Sequence, residues 1–132
     1  MQEDKLEQIF NEIQKDFALS VLNVAEKAKL CPTIKSTWIY RLVREEAYLK
    51  KLKDLHADMI AQITSLKKKN NNFSMIKEKI ESIKQEDILT VNKQITEQEE
   101  VVKFLRLALD TTIKGFSFDI KNVIEQTKLE AL

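Results

Sequence analysis

Residues 38–66 read WIYRLVREEAYLKKLKDLHADMIAQITSL, and this stretch decides the fold. Trp38, Leu42, Glu45, Leu49, Leu52, His56, Met59, Ile63 and Leu66 follow one another at steps of four and three. That is a heptad seam, with Leu42, Leu49, His56 and Ile63 at a and Trp38, Glu45, Leu52, Met59 and Leu66 at d. Ile39, Tyr48, Leu55 and Ile60 flank it at e and g, which predicts a packed stripe broad enough for a bundle. Taken from Pro32 to Lys69, the segment predicts a helical rod of roughly 55 Å at about 1.5 Å per residue. Such a rod needs a second long helix or a second subunit along its length.

The flanking segments carry the same period. Leu6, Ile9, Phe10, Ile13 and Phe17 mark one face of an N-terminal helix, and apolar density continues to Leu30. Cys31-Pro32 predicts a break, because proline disfavours helix at the preceding residue and suits the first turn of a new one. A second break between Asp16 and Ser20 is compatible with the pattern but not required by it. Asn70-Asn71-Asn72 ends the rod, and Ser74 is placed to cap the next helix. That helix carries Ile76, Ile80 and Ile83, then Ile88, Val91, Ile95, Gln98, Val102, Leu105 and Leu109. Its phase slips by one residue around Glu86-Asp87, which predicts a kink or short interruption. Gly115 is expected to stop or bend it. The expected organisation is one all-α domain: an N-terminal helical segment at 1–31, a long basic helix with its Asn loop at 32–72, a long helix at 73–114, and an amphipathic tail at 115–132.

Composition excludes several functions. The 132 residues hold one Gly, one Pro, one Cys and one His. Sheet-rich folds need more turn formers than that, and a phosphate-cradling loop needs several glycines. The lone Cys31 makes no intramolecular disulfide or cysteine zinc site, and it reads as a small apolar residue. Cys31 and His56, 25 residues apart, do not suggest a catalytic pair, so the chain is expected not to be an enzyme. His56 reads as a polar seam residue rather than a metal ligand, and Glu45 as a second polar seam residue within reach of Arg41 or Arg44. No cofactor and no metal are expected. No apolar run reaches the ~18 residues of a membrane span, and the acidic start Met1-Gln2-Glu3-Asp4-Lys5 is unlike a signal peptide.

Net charge is +1 overall, yet it is uneven. Residues 1–31 carry −2, residues 32–72 carry +5 and residues 73–132 carry −2. Lys50, Lys51, Lys53, Lys67, Lys68 and Lys69 supply most of the excess, with only Asp54 and Asp58 as carboxylates between Lys50 and Lys69. Lysines off a seam are commonly no more than a solvated face. A row lacking acidic partners, however, attracts phosphates and releases their counterions. Trp38 and Tyr48 suit stacking on unpaired bases or, beside a seam, core packing. In the tail, Phe116, Phe118, Ile120, Val123 and Ile124 are too apolar for a frayed end. A pair of long helices offers them little groove within one subunit, so they are expected to dock on a neighbour and hold an oligomer together.

Six short motifs, in order along the chain, resemble the UvsY family, the recombination mediators of T-even-type bacteriophages. Glu12-Ile13-Gln14-Lys15-Asp16 is similar to that family's E-[LI]-x-K-D, and Ser36-Thr37-Trp38 to its S-K-W. Phe73-Ser74-Met75 matches F-S-M, and Asp87-Ile88-Leu89-Thr90-Val91-Asn92 with Ile95 resembles D-[VI]-L-x-V-[DN]-x-x-[LI]. Leu109-Asp110 follows at the family spacing, and Phe118-Asp119-Ile120-Lys121 resembles F-x-I-K. The resemblance implies a closed homo-oligomer of roughly six or seven subunits in the cytoplasm of an infected bacterial host. It further implies binding of single-stranded DNA and loading of a RecA-like recombinase onto strand coated by single-strand-binding protein. The family's Lys-x-Arg motif would fall near Ala61 and Ile63, so the basic groups of this chain flank that position. The segment between Phe73 and Asp87 is also shorter than in the family. The alternative from the residues alone is a helical oligomeric scaffold without DNA binding; a chaperone-like adaptor presenting the tail is a more distant one.

Overall fold

The computed structural model describes the backbone of residues 2–69 and 84–130, with side chains over 5–65 and 86–130. The Asn70–Asn72 loop, the proposed Ser74 cap, the Phe73-Ser74-Met75 motif and Ile76, Ile80 and Ile83 lie outside the described residues. Among the described residues the chain is helical apart from short turns, without a strand. Helix α1 spans Gln2–Phe17 and α2 spans Val24–Lys69. A π-helical turn at Lys84–Ile88 leads into α3, Leu89–Ala108. A second π turn at Leu109–Ile113 precedes α4, Phe116–Glu130.

The break between the first two helices falls at residues 18–23, not at Cys31-Pro32. Helix α2 begins eight residues before the expected start and carries Pro32 in its interior. A mid-helix proline forfeits one backbone hydrogen bond and crowds the preceding turn. Burial of Val24, Cys31, Trp38 and Leu42 along one face of the same helix offsets that cost. The turn at 18–23 is instead held by Asn23. Its Oδ1 accepts from the Ser20 backbone N–H at 2.9 Å, and its Nδ2 donates to the Ala18 carbonyl at 3.2 Å. Lys27 then reaches back to the end of α1. Its Nζ donates to the carbonyls of Asp16 at 2.9 Å and Lys15 at 3.4 Å, satisfying acceptors that a helix end leaves open.

The chain forms two compact units, Met1–Arg44 with Val101–Leu132, and Glu45–Glu100. In the first, Ile9, Ile13 and Phe17 sit four residues apart on one edge of α1 and are buried. Phe17 packs edge-on against Phe116 of α4, ring centroids 4.7 Å apart, and meets Trp38 of α2 at 6.4 Å. Val101, Val102, Leu105, Ala108, Ile113 and Ile120 complete this core. Trp38 is only 4% exposed, and its indole N–H donates to Asp16 Oδ2 at 2.8 Å. A buried indole needs such an acceptor, so the bond fixes the end of α1 against α2.

In the second unit, the described helices run antiparallel. Gln98 near the end of the unit bonds to Glu45 at its start, and Ile88 packs with Ile63 and Met59. The Gln98 amide, 1% exposed, donates to the Glu45 carbonyl at 2.9 Å. Every seam residue from Trp38 to Ile63 is buried or half-buried, as the four-three spacing predicts. Ile39, Tyr48, Leu55 and Ile60 are exposed, so within one chain the packed stripe is narrower than expected.

The π turn at Lys84–Ile88 accounts for the phase slip near Glu86-Asp87. A π turn inserts one residue into the helical period, which is the size of the slip. At the second π turn the Lys114 N–H donates to the Leu109 carbonyl, five residues back, at 3.0 Å. Gly115 has a negative φ, and Asp119 N–H donates to its carbonyl at 3.0 Å. Helical bonding therefore carries across Gly115, and the π turn, not the glycine, sets the element boundary.

Candidate nucleic-acid interface

Lys50, Lys51 and Lys53 stand on α2 outside the seam, and all three are exposed. At about 100° per residue they spread over roughly 160° of the solvent side, with Asp54 and Asp58 between them. None of the three makes an ion pair with a described carboxylate. Lys67, Lys68 and Lys69 form the last turn of α2, and their side chains lie outside the described residues. About 21 Å of helix separates Lys53 from Lys67, so the six lysines are two groups on one helix rather than one cluster.

His56 is half-buried on the seam. Among the described residues, no three His, Cys, Asp or Glu side chains converge as a metal-binding group would. No described helix is long and apolar enough to cross a membrane. Cys31 is buried, with its Sγ 3.5 Å from Ser117 Oγ.

The tail requires a correction. Phe116 is 1% exposed and Ile120 is also buried, both within their own chain. A pair of long helices by itself has no groove for these two side chains. Helix α1 supplies the missing wall, through Phe17 against Phe116. Ser117 ties α4 to α2 as well, since Lys35 Nζ donates to its Oγ at 2.9 Å. Val123 and Ile124 are half-buried, whereas Phe118 is 66% exposed. Of the five residues assigned to a neighbour, only these last three retain surface to offer one.

Sequence reasoning missed a groove in the first unit, between α1 and α2. It has a volume of about 220 Å³ and is lined by Glu12, Asp16, Thr37, Trp38, Tyr40, Arg41 and Arg44. Arg41 Nη1 lies 3.5 Å from Glu12 Oε2, and the Arg44 guanidinium lies 5.8 Å from the centre of the Tyr40 ring. Glu12 and Arg41 stand 29 positions apart, and nothing in the helical period links them. Arg41 and Arg44 are legible in the sequence only as neighbours of Glu45, and the Trp38 ring belongs to the core.

Two of the resembling motifs meet physically: Asp16 closes the first, Trp38 closes the second, and the 2.8 Å hydrogen bond joins them. Comparison with protein-family models, with curated proteins and with solved structures finds no match.

Proposed function

We propose that this chain is a non-enzymatic recombination mediator. It binds single-stranded DNA through the lysines of α2 and promotes loading of a RecA-like recombinase onto strand coated by single-strand-binding protein. The observation that carries the reading is the run Lys50, Lys51 and Lys53, exposed on a helix and without a described carboxylate in ion-pair range. Such a row supplies charge without base readout, so binding is indifferent to sequence and steeply salt-dependent. The six ordered motifs that resemble the UvsY family support the biological role and the setting, an infected bacterial cytoplasm. They also support a closed ring of roughly six or seven copies, for which Phe118, Val123 and Ile124 of α4 offer apolar surface. Repetition around a ring turns many weak phosphate contacts into one strong one, because each later contact is effectively intramolecular. Strand held along such a ring is strained away from its coat protein, and the recombinase nucleates on it.

The second reading, a helical scaffold without DNA binding, is favoured by Tyr48, Leu55 and Ile60. These are exposed along the second unit's part of α2, where a partner helix would fit. Titration of labelled oligo-dT at low salt separates the two. Binding that weakens linearly in log salt, together with faster recombinase assembly on coated strand, supports the mediator. No binding leaves the scaffold.

A further inference from the structure

The groove of the first unit mixes charges in an unusual way. Its acidic wall is Glu12 and Asp16, its basic wall is Arg41 and Arg44, and Tyr40 is 64% exposed beside them. Glu12 is partly neutralised by Arg41 at 3.5 Å, and Asp16 accepts from the Trp38 indole at 2.8 Å. Each carboxylate keeps a second oxygen able to accept. The Arg44 guanidinium lies over one face of the Tyr40 ring, 5.8 Å from its centre, while the ring as a whole is largely exposed.

An acidic peptide is repelled by the two carboxylates, and a basic one by the two guanidiniums. A nucleotide matches both walls at once. Its phosphate is anionic, and every base presents an N–H donor on its Watson–Crick edge. Its flat ring stacks on tyrosine whatever the base, and arginine adds a cation–π contribution. At about 220 Å³ the groove has room for one base rather than for several.

We infer that this groove seats one nucleotide of a single strand, with the base stacked on Tyr40, its N–H edge toward Glu12 and Asp16, and a phosphate on Arg44. The inference rests on the single-strand reading proposed above, and it adds a base-stacking subsite to the purely ionic lysine row. Every base satisfies it, so sequence indifference is kept.

The test compares labelled oligo-dT with an abasic strand of equal length, measured by fluorescence anisotropy on the full chain. Tyr40→Ala should weaken oligo-dT binding about tenfold and leave the abasic strand unchanged, while Tyr40→Phe should bind like wild type. Should Tyr40→Ala lower the melting temperature, Tyr40→Leu keeps the bulk and removes the aromatic face, with the same expectation. Arg44→Gln should reduce the salt slope on both strands by about 0.7. Equal losses on both strands would make the groove an ionic contact and overturn the stacking assignment. Unchanged binding by Tyr40→Ala and Tyr40→Leu would overturn it as well, while leaving the lysine row in place. A wild-type chain that binds neither strand would remove the single-strand reading itself, and this subsite with it.

Discussion

The two compact units are built on different principles. Met1–Arg44 with Val101–Leu132 closes a core of aromatic and aliphatic side chains from four helical segments, around Phe17, Trp38 and Phe116. Its helix ends are tied by side chains: Lys27 to the α1 carbonyls, Trp38 to Asp16, and Lys35 to Ser117. In Glu45–Glu100 the described part is an antiparallel pair with a thin core of Leu52, Ile63, Ile88 and Val91. A buried hydrogen bond from the Gln98 side-chain amide to the Glu45 carbonyl crosses that pair, and exposed lysines line its outer side. Among the described residues, the first unit is anchored by an aromatic cluster that the second does not show. In the second, the charge row lies on a face that the described core leaves to solvent.

The largest effect tests the dense core. Phe17→Ala removes a ring that touches both Trp38 and Phe116, and should cost about 3–5 kcal/mol, read as a large fall in melting temperature. A loss under about 1 kcal/mol would mean that the aromatic cluster is not the anchor. Next, Asp16→Ala strips the acceptor from a buried indole and should cost about 1–3 kcal/mol, whereas Asp16→Asn keeps an acceptor oxygen and should recover most of it. Equal destabilisation by both would point to charge rather than the hydrogen bond.

Much of this was legible in the chain. The four-three steps from Trp38 to Ile63 locate the seam because period and burial coincide on a helix. The one-residue slip near Glu86 is visible because a π turn changes phase by one. Pro32 misled because its local cost is small against the burial around it. The true turn at 18–23 was obscured by Leu19, Val21 and Leu22, apolar residues in a loop; Leu22 is 98% exposed. The lysines were legible as charge, but the groove was not, because Glu12 and Arg41 meet only through the tertiary packing of α1 on α2. In the tail, composition alone did not separate Phe116 and Ile120, one turn apart and buried, from Phe118 between them on the outer face.

Smaller effects sharpen the comparison. Ile63→Val trims one methylene from the thin core of the second unit and should cost about 0.5–1.5 kcal/mol by denaturant melting. A cost as large as that of Phe17→Ala would erase the contrast between the units. Phe118→Ser should leave monomer stability nearly unchanged, since the ring is already exposed, but should lower the mass of the proposed assembly by light scattering. Full mass in that variant would remove α4 from the subunit contact.

The smallest change in stability belongs to the most consequential substitution, Lys50→Ala, Lys51→Ala and Lys53→Ala together. Oligo-dT binding measured across a salt series, with melting curves of the same samples, tests the central claim directly. The melting temperature should match wild type, with stability within about 0.5 kcal/mol. Meanwhile the slope of log affinity against log salt should flatten by about 2 per subunit, from three lost phosphate contacts at ~0.7 each. An unchanged slope on an intact fold would show that the lysine row of α2 does not touch the strand, and the proposed interface would be wrong.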